Sequence, residues 1–118
     1  MLIEPRCAFF GSRIADEKSV DSKRLQTVVR NSLGVLREEG LFAFYLYLKY
    51  RWDEGGQVIW EQIKSLWEDE VTGPLWKGGL EDREGVIALT ESLYELVLAR
   101  EVAEKALTYA LYGLRAGD

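Results

Sequence analysis

The sequence predicts an all-α protein, a compact antiparallel bundle of five to six helices. Apolar residues recur at helical spacing along nearly the whole chain, no useful stretch shows the strict alternation of a strand, and no internal repeat is present. A composition of 47% hydrophobic and 30% charged residues is that of a chain that folds. At 118 residues, it is long enough for one domain with a real core, without disulfides or a structural metal.

The first helix is expected over Glu4–Glu17, with Pro5 in the first turn, where its missing N–H costs nothing, and with Cys7, Phe10 and Ile14 along one face. Asp21 or Ser22 caps a second helix, whose Leu25, Val28, Val29, Leu33 and Leu36 point inward until Gly40 ends it. The third, Leu41–Trp52, is apolar almost all round, as expected of a central buried helix or of one with a second, partner-facing side. A fourth follows the Asp53–Gly56 turn over about Gln57–Glu70, with Ile59, Ile63, Leu66 and Trp67 as its inner stripe. Residues 71–85 hold Pro74 and four glycines and read as irregular, with Leu75 and Trp76 folding back over the core. A short helix near Glu84–Thr90 precedes a long one ending near Ala116, which opens on a Ser92…Glu95 capping box and carries a Glu101–Lys105 pair outside.

Several function classes are excluded or disfavoured. With no histidine, the chain lacks the usual neutral-pH general base, the usual zinc ligand and the common nucleophilic triads. The sequence therefore predicts a binding protein, not an enzyme, with no cofactor and no metal. Three adjacent acids, Glu68, Asp69 and Glu70, match no calcium loop and read as a solvated helix end. The longest apolar run, Leu41 to Leu48, falls well short of the roughly 18 residues of a membrane span. One cysteine and no leader pattern suggest a cytoplasmic protein.

Charge is distributed unevenly. Residues 1–52 carry nine Lys/Arg against six Asp/Glu, a balance of +3, while residues 53–118 carry six against fourteen, a balance of −8. On the second helix Lys23, Arg30 and Arg37 recur every seven residues, on the side away from its apolar stripe and about 10 Å apart. Arg24 sits beside this row, and Arg6 and Arg13 repeat the spacing on the first helix. Such a row follows a nucleic-acid backbone, with phosphate contacts giving affinity and no base readout; it is also what any amphipathic helix needs on its wet face. Tyr109 and Tyr112 read as aromatics at the edge of the core, not as stacking platforms.

The segment Ser32-Leu-Gly-Val-Leu-Arg-Glu-Glu-Gly-Leu-Phe-Ala-Phe-Tyr-Leu-Tyr-Leu-Lys49 resembles the small α-helical subunit of the Cmr complexes, the type III-B CRISPR effectors. That family has an apolar helix ending in Gly-Leu, then an aromatic-rich helix closing on lysine. The likeness extends to Arg6-Cys-Ala-Phe9, to Ile59-Trp-Glu-Gln-Ile63 with Trp67, and to Leu98-Ala-Arg-Glu-Val-Ala-Glu-Lys-Ala-Leu107 with Arg115-Ala116. Glu39 stands where the family tends to have Asn, and Tyr112 where it often has Trp. The resemblance implies a subunit without nuclease activity, present in several copies stacked head to tail beside the other Cmr subunits that hold the guide RNA. Its basic face would line the channel of the guide–target RNA duplex, a role that falls on Lys23, Arg24, Arg30, Arg37, Lys49 and Arg51. Two alternatives remain: the small subunit of another CRISPR effector subtype, and a homodimeric helical adaptor using the third helix and the Leu75-Trp76 loop as an apolar interface.

Overall fold

Asp21 starts the second helix. Its side chain accepts a hydrogen bond from the Arg24 N–H at 3.0 Å, satisfying one of the exposed donors of the first turn. Gly40, at φ +100°, ends that helix, its N–H bonding the Val35 carbonyl, and turns the chain straight into the next. Punctuation of this kind divides the chain, a computed structural model describing residues 3–72 and 75–117, into six α-helices. They are α1 (Ile3–Ala15), α2 (Ser22–Glu39), α3 (Leu41–Tyr50), α4 (Gly56–Glu68), α5 (Asp82–Thr90) and α6 (Leu93–Ala116). Two 3-10 turns, Trp52–Glu54 and Glu70–Thr72, flank α4, and no strand is present among the described residues.

The all-α bundle is therefore as expected, with the differences at helix ends. The third helix stops at Tyr50, two residues early, because the chain tightens into a 3-10 turn and the Gly56 N–H reaches back to the Arg51 carbonyl at 2.9 Å. The fourth ends at Glu68, because Asp69 turns extended and its carboxylate takes the Val71 N–H and the Arg6 guanidinium. Ser92 caps α6 by accepting from the Glu95 N–H, but the other half of the capping box is not made, since the Glu95 carboxylate pairs with Lys77 at 2.9 Å. Among the described residues Glu101 and Lys105 form no ion pair; Arg100 and Glu104 do, at 4.0 Å. Gly73 and Pro74, read above as punctuation, lie outside the described residues.

Packing follows from which side chains are small. A Cβ on Gly11 would lie 2.5 Å from the Ala106 carbonyl oxygen and 2.9 Å from the Tyr109 Cβ, so α1 and α6 touch almost backbone to backbone. Ala106 and Ala110 on the facing helix permit that approach, and Gly113 meets Ala15 one turn further on. Ascending numbers thus match ascending numbers, and α1 runs parallel to α6. Elsewhere neighbours reverse: α2 lies antiparallel to α3, with Lys23 and Arg24 near Arg51, and antiparallel to α6, with Ser22 near Leu114 and Arg37 near Glu101.

One core cluster runs through all six helices. Cys7 is fully buried in it, and burial pushes its thiol up to about 11. Leu75 and Trp76 are buried too, as the sequence suggested, tied by their N–H groups to the Trp67 carbonyl at 2.8 and 3.0 Å. Two carboxylates pin the periphery. Asp69 accepts from Arg6 Nη2 and Nε at 2.8 and 3.0 Å, joining the end of α4 to α1; Asp82 accepts from Trp60 Nε1 at 2.9 Å and Lys64 Nζ at 3.0 Å, joining α5 to α4. Burial raises both carboxyls, but these hydrogen bonds and the neighbouring positive charges outweigh it and hold both below their ordinary range.

Two predictions follow from this packing. Gly11→Ala forces the α1–α6 seam apart and lowers stability by about 1–3 kcal/mol, whereas Gly34→Ala, which meets open space in mid-helix, raises it by about 0.5–1 kcal/mol; urea denaturation midpoints report both. Because the folded carboxyls of Asp69 and Asp82 titrate below their unfolded values, their contribution is complete above about pH 4 and is lost as pH falls through the folded values. Stability of Asp69→Asn and Asp82→Asn variants, followed by denaturation from neutral to acid pH, should accordingly fall less steeply than that of the parent protein.

Candidate nucleic-acid interface

The inner face of α2 packs Leu25, Val28, Val29, Leu33 and Leu36 into the core, with Ser32 returning its hydroxyl to the Val29 carbonyl at 2.9 Å. Burying that stripe dictates what remains outside. Lys23, Thr27, Arg30, Gly34 and Arg37 follow one another along the opposite side, with Arg24 and Asn31 beside them. Lys23, Arg24, Arg30 and Arg37 are all exposed, and among the described residues none of the four makes an ion pair. No acid interrupts the helix from Ser22 to Arg37, and the Asp21 carboxylate before it is engaged as the cap. At 1.5 Å per residue the row is about 21 Å long.

Its two ends differ. At the N-terminal end, α2 and the end of α3 enclose a groove of ≈ 360 Å³ between Lys23, Arg24 and Asn31 on one wall and Tyr47, Arg51 and Glu54 on the other. Arg51 is held in place there: its Nη1 lies 3.2 Å from a Glu54 carboxylate oxygen, and its guanidinium sits 4.8 Å from the centre of the Tyr50 ring. The Glu54 charge is the main cause of its raised pKa. Tyr47 places its hydroxyl, shielded from solvent, beside this guanidinium. At the other end Arg37 shares a groove of ≈ 420 Å³ with Glu101, Glu104 and Lys105 of α6, and its carbonyl accepts from Arg100 at 3.2 Å. Acids temper the field at that end.

Of the six residues singled out from sequence, the fold brings Lys23, Arg24 and Arg51 to one groove and continues them along α2 with Arg30 and Arg37. Lys49 stands apart. It is two residues from Tyr47 and so roughly 200° around α3, where its ammonium lies 4.1 Å from the Trp52 ring centre and its charge acts on Asp82. The basic spacing on α1 is consumed structurally: Arg6 is bonded to Asp69, and Arg13 lies over the Phe9 ring at 5.6 Å. Asn31, Tyr47, Tyr50 and Glu54 were not singled out from sequence. Asn31 lies seven residues after Arg24, and Tyr47 four before Arg51, a spacing that the uniformly apolar look of the third helix hid.

Other candidates are disposed of by their surroundings. Asp69 leaves the acidic triplet to bind Arg6, and no group of three potential ligands able to hold a metal occurs among the described residues. Tyr109 is half-buried and hydrogen-bonded to Glu4, whereas Tyr112 is exposed. Leu75 and Trp76 lie inside the core, which removes them from any apolar interface. No described helix is long and apolar enough to cross a membrane.

No family model, curated protein or solved structure matches this chain.

Proposed function

We propose that the chain is the non-catalytic small subunit of a type III-B CRISPR RNA-guided effector, the Cmr complex, acting in antiviral defence in the cytoplasm. In this reading several copies stack beside the subunits carrying the guide RNA, and α2 of each holds the guide–target duplex by its phosphates. The observation that carries it is the α2 row: four cations, exposed, in no ion pair among the described residues and uninterrupted by acid over about 21 Å. A row of fixed charges displaces the counterions of a polyanion and binds it without regard to sequence. The acidic second half, at −8, gives each copy a surface complementary to basic neighbours, which suits head-to-tail stacking. The resemblance of the α2–α3 segment to the Cmr small subunit supplies the biological setting.

A second reading, a homodimeric adaptor without nucleic acid, draws on Leu46 and Tyr50, which α3 leaves exposed. Its other element, the Leu75-Trp76 loop, is buried.

Purification of the native protein separates the two, since recovery with a guide RNA and several larger subunits supports the effector and recovery as a dimer without RNA supports the adaptor. Reversing Lys23, Arg30 and Arg37 to Glu should weaken target-RNA capture by the assembled complex about tenfold or more, and should lower the slope of log K against log salt by roughly 0.7–0.9 per lost contact. Unchanged capture would sink the assignment of this face.

A further inference from the structure

The Tyr50 ring is 75% exposed at the end of α3. The Arg51 guanidinium lies 4.8 Å from its centre, and the same guanidinium lines the groove shared with Lys23 and Arg24. An aromatic plate and a groove lined by three cations are thus joined through one side chain, which Glu54 holds at 3.2 Å. We propose that this end of α2 and α3 is a subsite for an unpaired nucleotide of an RNA strand, with the base stacked on Tyr50 and its phosphate held by Lys23, Arg24 and Arg51. The inference rests on the reading of α2 as a nucleic-acid face and adds a preference that a phosphate row alone does not have. Bases within a duplex have no free faces to offer, whereas an unpaired base stacks on aromatic and guanidinium planes alike. Neither Lys23 nor Arg24 makes an ion pair among the described residues, so neither must be released before a phosphate binds.

The test uses the full chain and two probes, a short oligoadenylate carrying one 2-aminopurine and a fully paired RNA duplex of the same length. The single strand should bind with a change in 2-aminopurine fluorescence; Tyr50→Ala should weaken that binding about tenfold, and Tyr50→Phe, which keeps the ring, should leave it within about threefold. Any loss of duplex affinity on Tyr50→Ala, where the ring only steadies Arg51, should stay within about threefold, so that single-strand affinity falls further than duplex affinity. Free AMP, which offers one base and one phosphate without a strand, should bind at least about tenfold more weakly than the oligonucleotide; equal binding would overturn the strand as ligand. Single-strand affinity indifferent to Tyr50→Ala would overturn the subsite while leaving the duplex reading intact, provided that duplex affinity still falls on reversal of Lys23, Arg30 and Arg37. Binding of neither probe would also overturn the subsite, and target capture by the assembled complex then decides the α2 reading separately.

Discussion

The bundle depends on where two buried indole N–H groups find acceptors. Trp60, Trp67 and Trp76 lie within 6.1 Å of one another, ring centre to ring centre, with Trp67 and Trp76 stacked and Trp60 edge-on to both. Such rings bury a large apolar area, but each buried N–H must be paired or the gain is largely lost. Trp67 donates to the Ala99 carbonyl at 3.1 Å, fixing α4 against α6, and Trp60 donates to Asp82, fixing α4 against α5. Asp82 also takes Lys64, so a carboxylate at the start of α5 is held charged where the helix N-terminus favours it. Trp76 closes the cluster from the connecting segment, and Gly85 on α5 leaves the space its ring fills, since a Cβ there would collide with it. Three tryptophans thereby set the positions of α4, α5, α6 and the loop between them.

That cluster and the α1–α6 seam do the joining on one side of the molecule, and four of the cations there are spent on structure. Arg6, Lys64, Lys77 and Arg100 all meet carboxylates. The α2–α3 hairpin makes its contribution through apolar packing instead, with Leu25, Val28, Leu36, Leu41, Phe44 and Leu48 all buried. It needs no ion pair from the outer face of α2, where Lys23, Arg24, Arg30 and Arg37 make none among the described residues.

The α2 face was legible in the sequence because an amphipathic helix determines both its faces at once: assigning Leu25, Val29, Leu33 and Leu36 to the core assigns Lys23, Arg30 and Arg37 to solvent. The α3 residues were not legible to the same degree. A helix apolar on all sides carries no periodic signal of which side meets which neighbour, so Lys49 and Arg51 looked equivalent until the α2–α3 crossing put Arg51 in the groove and Lys49 on the far side. Local pair rules failed for a related reason. Glu95 satisfied the capping-box pattern, yet Lys77, eighteen residues earlier, took its carboxylate; Arg6 repeated the basic spacing, yet Asp69, sixty-three residues later, took its guanidinium. Spacing reports what a side chain can reach within its own helix, and tertiary partners of opposite charge outbid those options.

A row of like charges on one helix would ordinarily destabilise it, and the spacing explains why this one is tolerated. Lys23, Arg30 and Arg37 stand about 10 Å apart, close to one Debye length at ordinary ionic strength, so that each is largely screened from the next in the free protein. Along a polyanion the same spacing brings no such cancellation, because each cation meets its own phosphate and releases its own counterion. The row is therefore nearly silent in folding and additive in binding. On α6 Arg100, Glu101, Glu104 and Lys105 set two cations against two acids within a turn and a half, which leaves little net field to attract a partner. The difference between the two helices is one of arrangement more than of charge count, and it singles out α2 as the surface on which a polyanion gains most.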